Sequence, residues 1–540
     1  MSNRTILHLV MVNILFVTYY IILLYSIDVA FFYKINYDSF NYYVMAKNLA
    51  ETGSAEVRVA EGVSPITFAK LPAYVRSPIF IVFKDLDTRI RALQIFNLIL
   101  LIVVANIFWF YIKITIPSTW NRIFTFIPFI YLSFNPWLSN VVTPLAETIL
   151  AIQFYIAILL VKKVKFGEIS FRQTVALVIA LSVLLWGIVM LKFTAAAALL
   201  VFVIIYLLQH KFSFHKGMLN HKLISIVIPF CLGIALLIAM IANYGLILYY
   251  IKQIYGWFIY DIPVYIIIIR TTANLIFSVI PAQIIPYYNG IFVNFPKTSL
   301  AFDLNQLTLE NNFWLISGLS ITIFVVIGLW NLRYKMTAEI GCLILLMVHG
   351  LSTMGAFRHL SVVQPFFWIF FIKGLKELVG LLKISARLII PILVSLFIII
   401  SVAVQLKYSK QISEWSYFGR NPKKLIDYID KVSTTYRNCR IFIESLPRNR
   451  TRFVLMHDPS VRWFALLDIK YIIKENILIK LKNGYNVYVV MECSRRQYFE
   501  INSHYQLFLN NLVVKENIIH YPVFVEENDR VKIIIYQLSL

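Results

Sequence analysis

The chain is 540 residues long, 60% hydrophobic and only 14% charged, with a formal net charge of +23. A soluble protein carries about 25% charged residues, so an ordinary soluble fold is excluded. The positive charge is spread without runs of like sign, which suits loops at an anionic lipid surface and argues against a nucleic-acid partner.

Apolar segments of bilayer length begin at once. The first runs from Ile6 to Tyr25, too long for a signal-peptide core and without a small-residue cleavage site, so it reads as a retained anchor. A polar loop over 27–90 follows. Within it, Tyr42, Met45, Ala46, Leu49 and Ala50 recur at helical spacing on one face, with Asn41, Lys47, Asn48 and Glu51 elsewhere. Gly53 is the expected stop of that helix. Asp38 stands at its start, either as a cap or as an acid held at the membrane surface. Arg76-Ser77-Pro78 precedes a short apolar run.

Further apolar segments centre near Leu101, Pro128, Gln153, Leu181, Leu200, Gly233, Ile321, Leu346, Phe370 and Leu396. About eleven spans result, or thirteen if 246–311 holds two more. Short basic loops face the cytoplasm. Lys162, Lys163, Lys165 and Arg172 mark one such loop, and Lys211, Lys216 and Lys222 another. Arg333 with Lys335 and the group Lys373, Lys376, Lys383 and Arg387 mark two more. With eleven spans all four share a side. Asp38, Glu147, Lys192, Arg358 and the C-terminal region then share the opposite, extracytoplasmic side.

Composition changes near Leu406. The expected domains are a transmembrane module over 1–405 and a soluble, extracytoplasmic α+β domain over 406–540. In the latter, 421–436 and 495–511 read as helices, and 440–444, 469–473, 521–525 and 531–536 as strands. Asn483-Gly484, between 477–482 and 486–491, is a hairpin signal. Of the four cysteines, Cys231 and Cys342 lie in apolar segments. Cys439 and Cys493 either form a disulfide outside the cytoplasm or remain buried thiols.

No Walker loop, dinucleotide glycine fingerprint, His-Glu-x-x-His or Cys-x-x-Cys is present. What remains is a set of polar residues at the ends of spans: Arg76, Asn135-Pro136, the stretch Thr143 to Glu147, Lys192, Arg270 and Arg358-His359-Leu360. Charge near membrane depth is costly and tends to be functional, although a single Lys or Arg also snorkels to the interface.

The order of these features resembles the polytopic glycosyltransferases of the GT-C fold, especially the bacterial relatives of dolichyl-phosphate-mannose–protein mannosyltransferases. Asp38, Tyr42 or Tyr43, Ala46, Leu49 and Gly53 match the acidic first outer loop of that family. Arg76-Ser77-Pro78 and Ala92-Leu93-Gln94 match its second motif. Asn135-Pro136 and Glu147 match its third, Lys192 its basic residue after the fifth span, and Arg358-His359-Leu360 its late Arg-Tyr-Leu. Ser39 replaces the second acid common in the family, which argues against a metal there.

The resemblance implies an inverting glycosyltransferase in the cytoplasmic membrane, without a cofactor or metal. Its donor would be a polyprenyl-phosphate-linked sugar and its acceptor an envelope glycan, lipid or protein. Asp38 would act as base and Glu147 beside it in catalysis. Arg76, Lys192, Arg270 and Arg358 would meet the lipid phosphate, and Tyr42, Tyr43 and His359 would bind elsewhere on the substrates. A transporter or flippase, or a glycan ligase, are the competing readings. An envelope-assembly protein without catalytic activity is a further one.

Overall fold

The computed structural model describes residues 3–26, 37–55, 70–84, 86–115, 146–163, 171–211, 219–242, 244, 272, 275–284, 309–352, 360–381, 439–443, 478–494, 517–527 and 531–540. The expected segments around Pro128 and Leu396, helices 421–436 and 495–511, and strand 469–473 lie outside these residues.

Besides short helical turns, the described residues form eleven helices of twelve residues or more, which we number α1 (Asn3–Ser26), α2 (Tyr37–Thr52), α3 (Leu71–Val82), α4 (Leu86–Thr115), α5 (Glu147–Lys163), α6 (Phe171–Val189), α7 (Phe193–Lys211), α8 (Leu219–Ala242), α9 (Leu309–Leu332), α10 (Thr337–Ser352) and α11 (Gln364–Leu381). Nine of them coincide with expected apolar segments; α2 and α3 belong to the polar loop. Within the described residues, Thr88–Thr115 and Arg172–Val189 are long and apolar enough to cross a bilayer. The helices also carry large apolar side chains outward, among them Ile99, Val183, Phe230, Ile241 and Ile323. In water such a belt would be unfavourable; against lipid it costs nothing.

Small and polar residues bring the helices together, as expected where lipid offers no hydrophobic drive between them. Asn13 of α1 and Asn106 of α4 exchange amide hydrogen bonds at 3.1 and 2.9 Å. Gly187 of α6 lies against Gln153 of α5. At Gly328 and Gly374, α9 and α11 meet backbone to backbone: a methyl built on Gly328 would lie 1.7 Å from the Phe370 carbonyl oxygen. A π-helical turn, Leu275–Val279, packs on α9, where the Thr322 hydroxyl donates to the Ile276 carbonyl at 2.6 Å. The run from Leu360 to Phe370 is buried throughout. Phe366 there packs its ring with Tyr111 and Tyr155.

Arg76-Ser77-Pro78 and the apolar run after it both lie inside α3, because the helix begins early, with Pro72 in its first turn. Lys47, off the apolar face of α2, is buried as well. Gly53 does end α2, at φ +74°, its N–H donating to the Leu49 carbonyl.

The C-terminal region holds a four-stranded sheet in the order β1-β2-β4-β3, with β1 Cys439–Ile443, β2 Asn486–Ser494, β3 Ile519–Glu527 and β4 Val531–Ser539. β3 and β4 form the expected antiparallel hairpin, with a bulge between Pro522 and Phe524. The hairpin expected at Asn483-Gly484 is instead a helix ending. Residues 478–482 are helical. Tyr485 N–H donates to Lys480 O and Gly484 N–H to Leu481 O, both at 3.0 Å, with Gly484 at φ +73°. That pair of bonds is the Schellman motif. The Cys439–Cys493 disulfide is ruled out by register. Cys439 pairs with Asn486 in the parallel β1–β2 ladder. Cys493 lies seven residues further along β2, roughly 23 Å away at the strand rise.

Candidate functional site

The site is built at one end of the helical bundle. Because Gln153 of α5 meets Gly187 of α6, the start of α5 at Glu147 and the α6–α7 junction at Lys192 lie at the same end. α3 packs on α2 and on the first part of α4, bringing the polar loop to the bundle.

Arg76 is the pivot. Its side chain is fully buried. Nε and Nη2 both donate to Asn97 Oδ1 of α4, at 3.2 and 3.0 Å, and Nη1 donates to the Pro72 carbonyl at 3.3 Å. Burial pushes the guanidinium down to about 10, while the nearby Tyr42 and Glu147 pull it up. Three segments far apart in sequence therefore place Tyr42 and Glu147 within electrostatic reach of Arg76. Glu147 is nearly enclosed, on the first turn of α5, where the helix dipole favours an acid. Thr148 beside it is fully buried, with a hydroxyl that has no hydrogen-bond partner among the described residues.

Asp38 occupies the second position of α2, inside the first turn and one turn before Tyr42. Its side chain lies outside the described residues. Lys192 is buried in the α6–α7 turn, its N–H bonded to Ile188 O and its carbonyl accepting from Ala195 and Ala196.

Tyr43 points another way. It is fully enclosed, edge-on to Phe80 at 4.8 Å. Burial raises its phenol to about 12, and the adjacent Arg89 partly opposes this. Arg89 stacks 5.0 Å over the same Phe80 ring and donates to the Phe83 and Lys84 carbonyls, both at 3.1 Å. Tyr43, Phe80 and Arg89 thus clamp α2, α3 and α4 together. Arg270, Arg358 and His359 lie outside the described residues.

Asn97 was not singled out in the sequence, although it is buried at this end together with Gln94 of the expected second motif. The signal was available: two amides three residues apart on an otherwise apolar helix share one face.

No family model and no curated protein matches the sequence. Solved structures do. The archaeal oligosaccharyltransferase AglB from Archaeoglobus fulgidus, in complex with an inhibitory peptide and a dolichol-phosphate, superposes with a TM-score of 0.50 at 11% identity, covering 96% of this chain and 73% of that one. The fold is GT-C-like. ArnT from Cupriavidus metallidurans superposes at 0.49 in the apo state and 0.47 bound to undecaprenyl phosphate, at 11% identity with 97% of each chain covered. At such identity the likeness concerns the path of the backbone. In this GT-C-like chain, Tyr42, Arg76, Asn97 and Glu147 form the polar centre that the described helices assemble.

Proposed function

We propose that the protein is an integral membrane glycosyltransferase that moves a sugar from a polyprenyl-phosphate donor to an acceptor of the cell envelope. The observation that carries the reading is the convergence of Tyr42, Arg76 and Glu147 at one end of a GT-C-like bundle, one helical turn from Asp38. The dolichol-phosphate held by AglB belongs to the same chemical class as the proposed donor.

Asp38 takes the proton of the acceptor hydroxyl. The freed oxygen attacks the anomeric carbon from the face opposite the phosphate, the carbon–oxygen bond to phosphate breaks, and the configuration inverts. Lys192, Arg270 and Arg358 neutralise the departing phosphate. Arg76, expected at the lipid phosphate, donates to Asn97 and to the Pro72 carbonyl, and we assign it the further task of a buried counter-charge that orients Glu147 and Tyr42. Glu147 in turn faces the acceptor or sugar. No metal enters this scheme.

The outer face is the working side. Lys162 ends α5 at the opposite end from Glu147, and basic loops stay in the cytoplasm. The C-terminal domain lies on the same side as the site. The test is reconstitution of the purified protein with polyprenyl-phosphate sugars and an envelope extract as acceptor. Wild type should transfer label and Asp38→Asn should lose it by at least about a hundredfold; equal turnover by the two removes Asp38 as base.

A further inference from the structure

At the opposite end of the bundle the structure assigns a second kind of contact. We propose that the turn between α9 and α10 binds the headgroup of an anionic glycerophospholipid, with the acyl chains lying along α9. Ile316, Leu319, Ile323, Val326 and Trp330 are all exposed and follow one another at three- and four-residue steps. They form a single outward stripe about 21 Å long at helical rise. The stripe ends in polar chemistry. The Arg333 guanidinium stacks 4.1 Å from the centre of the Trp330 ring and 4.5 Å from that of Tyr334. Trp330 is 64% exposed and Tyr334 78%. Lys335 follows, also exposed.

An apolar stripe that stops at a Trp, an Arg and a Tyr is the side-chain order of a bilayer boundary. Nη1 of Arg333 donates to the Trp330 carbonyl at 2.5 Å, which fixes the guanidinium beside the two rings, and its remaining N–H groups suit a phosphate diester. The turn is also fixed in place. Gln209 of α7 donates to the Tyr334 carbonyl at 3.1 Å, and Thr337 donates to the Arg333 carbonyl at 2.8 Å. One turn further, Glu339 is bound to Lys162 of α5 and accepts from Tyr111 of α4 at 3.0 Å. The nearest acid of α10 is thereby already neutralised and does not repel a phosphate.

The experiment uses the full chain in nanodiscs of phosphatidylcholine with or without phosphatidylglycerol. Native mass spectrometry of the released protein should show phosphatidylglycerol retained several-fold over phosphatidylcholine. Arg333→Gln with Lys335→Gln should bring that preference down towards parity, by up to about twenty-five-fold at about fivefold per cation. Arg333→Lys should keep most of it, and inorganic phosphate in millimolar amounts should not displace the lipid. Lipids brominated on their acyl chains should quench wild type more than Trp330→Phe. Equal retention of the two lipids, undiminished retention in the double variant or displacement by inorganic phosphate would overturn the proposal. So would an unquenched Trp330, the result expected if a second copy of the chain covers the stripe.

Discussion

Arg76 and Asn97 are joined by two hydrogen bonds to a single amide oxygen, 3.2 Å from Nε and 3.0 Å from Nη2, with no exposure of the guanidinium to solvent. This link ties the outer-loop helix α3 to α4, and it leaves the charge facing Glu147 and Tyr42. Removing one member of a buried charge arrangement strands the others, at a typical cost of about 3–5 kcal/mol. Arg76→Ala should therefore lower the melting temperature sharply in detergent. Arg76→Lys should keep the charge and lose the fork, giving an intermediate loss. Asn97→Ala should cost less than Arg76→Ala, about 1–3 kcal/mol.

Alkaline stability should depend on Tyr43. Its folded value of about 12 lies above the ordinary 10 of a free phenol, owing first to burial. The stabilisation is complete below pH 10 and is lost as the pH rises through 12, because only the unfolded chain gives up the proton in that window. Arg76, lowered to about 10 by burial, acts with the opposite sign above pH 10. Tyr43→Phe should thus remove a downward slope of up to roughly 1.4 kcal/mol per pH unit. Chemical unfolding at pH 9, 10 and 11 would read it.

Glycines of the bundle should divide into two classes. Gly328→Ala and Gly374→Ala would place a methyl 1.7 Å from Phe370 O and 1.9 Å from Phe324 O, and backbone cannot step aside. Either should abolish the folded yield or cost several kcal/mol. Gly233 and Gly380 have nothing within 4 Å of an added methyl among the described residues. Their Ala variants should be neutral or more stable by up to about 1 kcal/mol. Size-exclusion profiles and melting curves separate the outcomes.

The Lys162–Glu339 pair should behave as a unit. Glu339→Gln or Lys162→Met alone should cost about 3–5 kcal/mol, while Lys162→Met with Glu339→Leu should recover most of the loss. Tyr111→Phe should cost about 1–2 kcal/mol through its bond to the carboxylate. A double-mutant cycle on thermal stability is the measurement.

Cys439 and Cys493 should both alkylate under non-reducing denaturing conditions. No peptide mass joining the two should appear after digestion, since the sheet register holds them far apart.

Much of the fold was legible because spanning helices announce themselves by length and uniform apolarity; α4, α5, α6 and α9 fall where their apolar runs lie. The sheet was legible in part. The alternation of β3 and β4 was plain, but Asn483-Gly484 misled, because hairpin turns and helix endings both call for a residue at positive φ and the same dipeptide supplies either. Cys439 and Cys493 misled because spacing along a chain says nothing of register. At the site, Arg76 and Glu147 stood out as charges near apolar runs, and the structure brings them together. Their roles were less legible. Whether a guanidinium meets a ligand or an amide of its own chain depends on the neighbouring helix, and Asn97 carries no charge to betray it.

The outermost strand of the sheet has a consequence for handling the protein. β3 lies at the end of the four-strand order, and Pro522 interrupts it with a residue that has no amide hydrogen, next to a bulge. A foreign strand laid along that rim would find a gap in the donor row and a bend in its path. Edge-on-edge pairing should therefore be disfavoured along the β3 rim of the sheet.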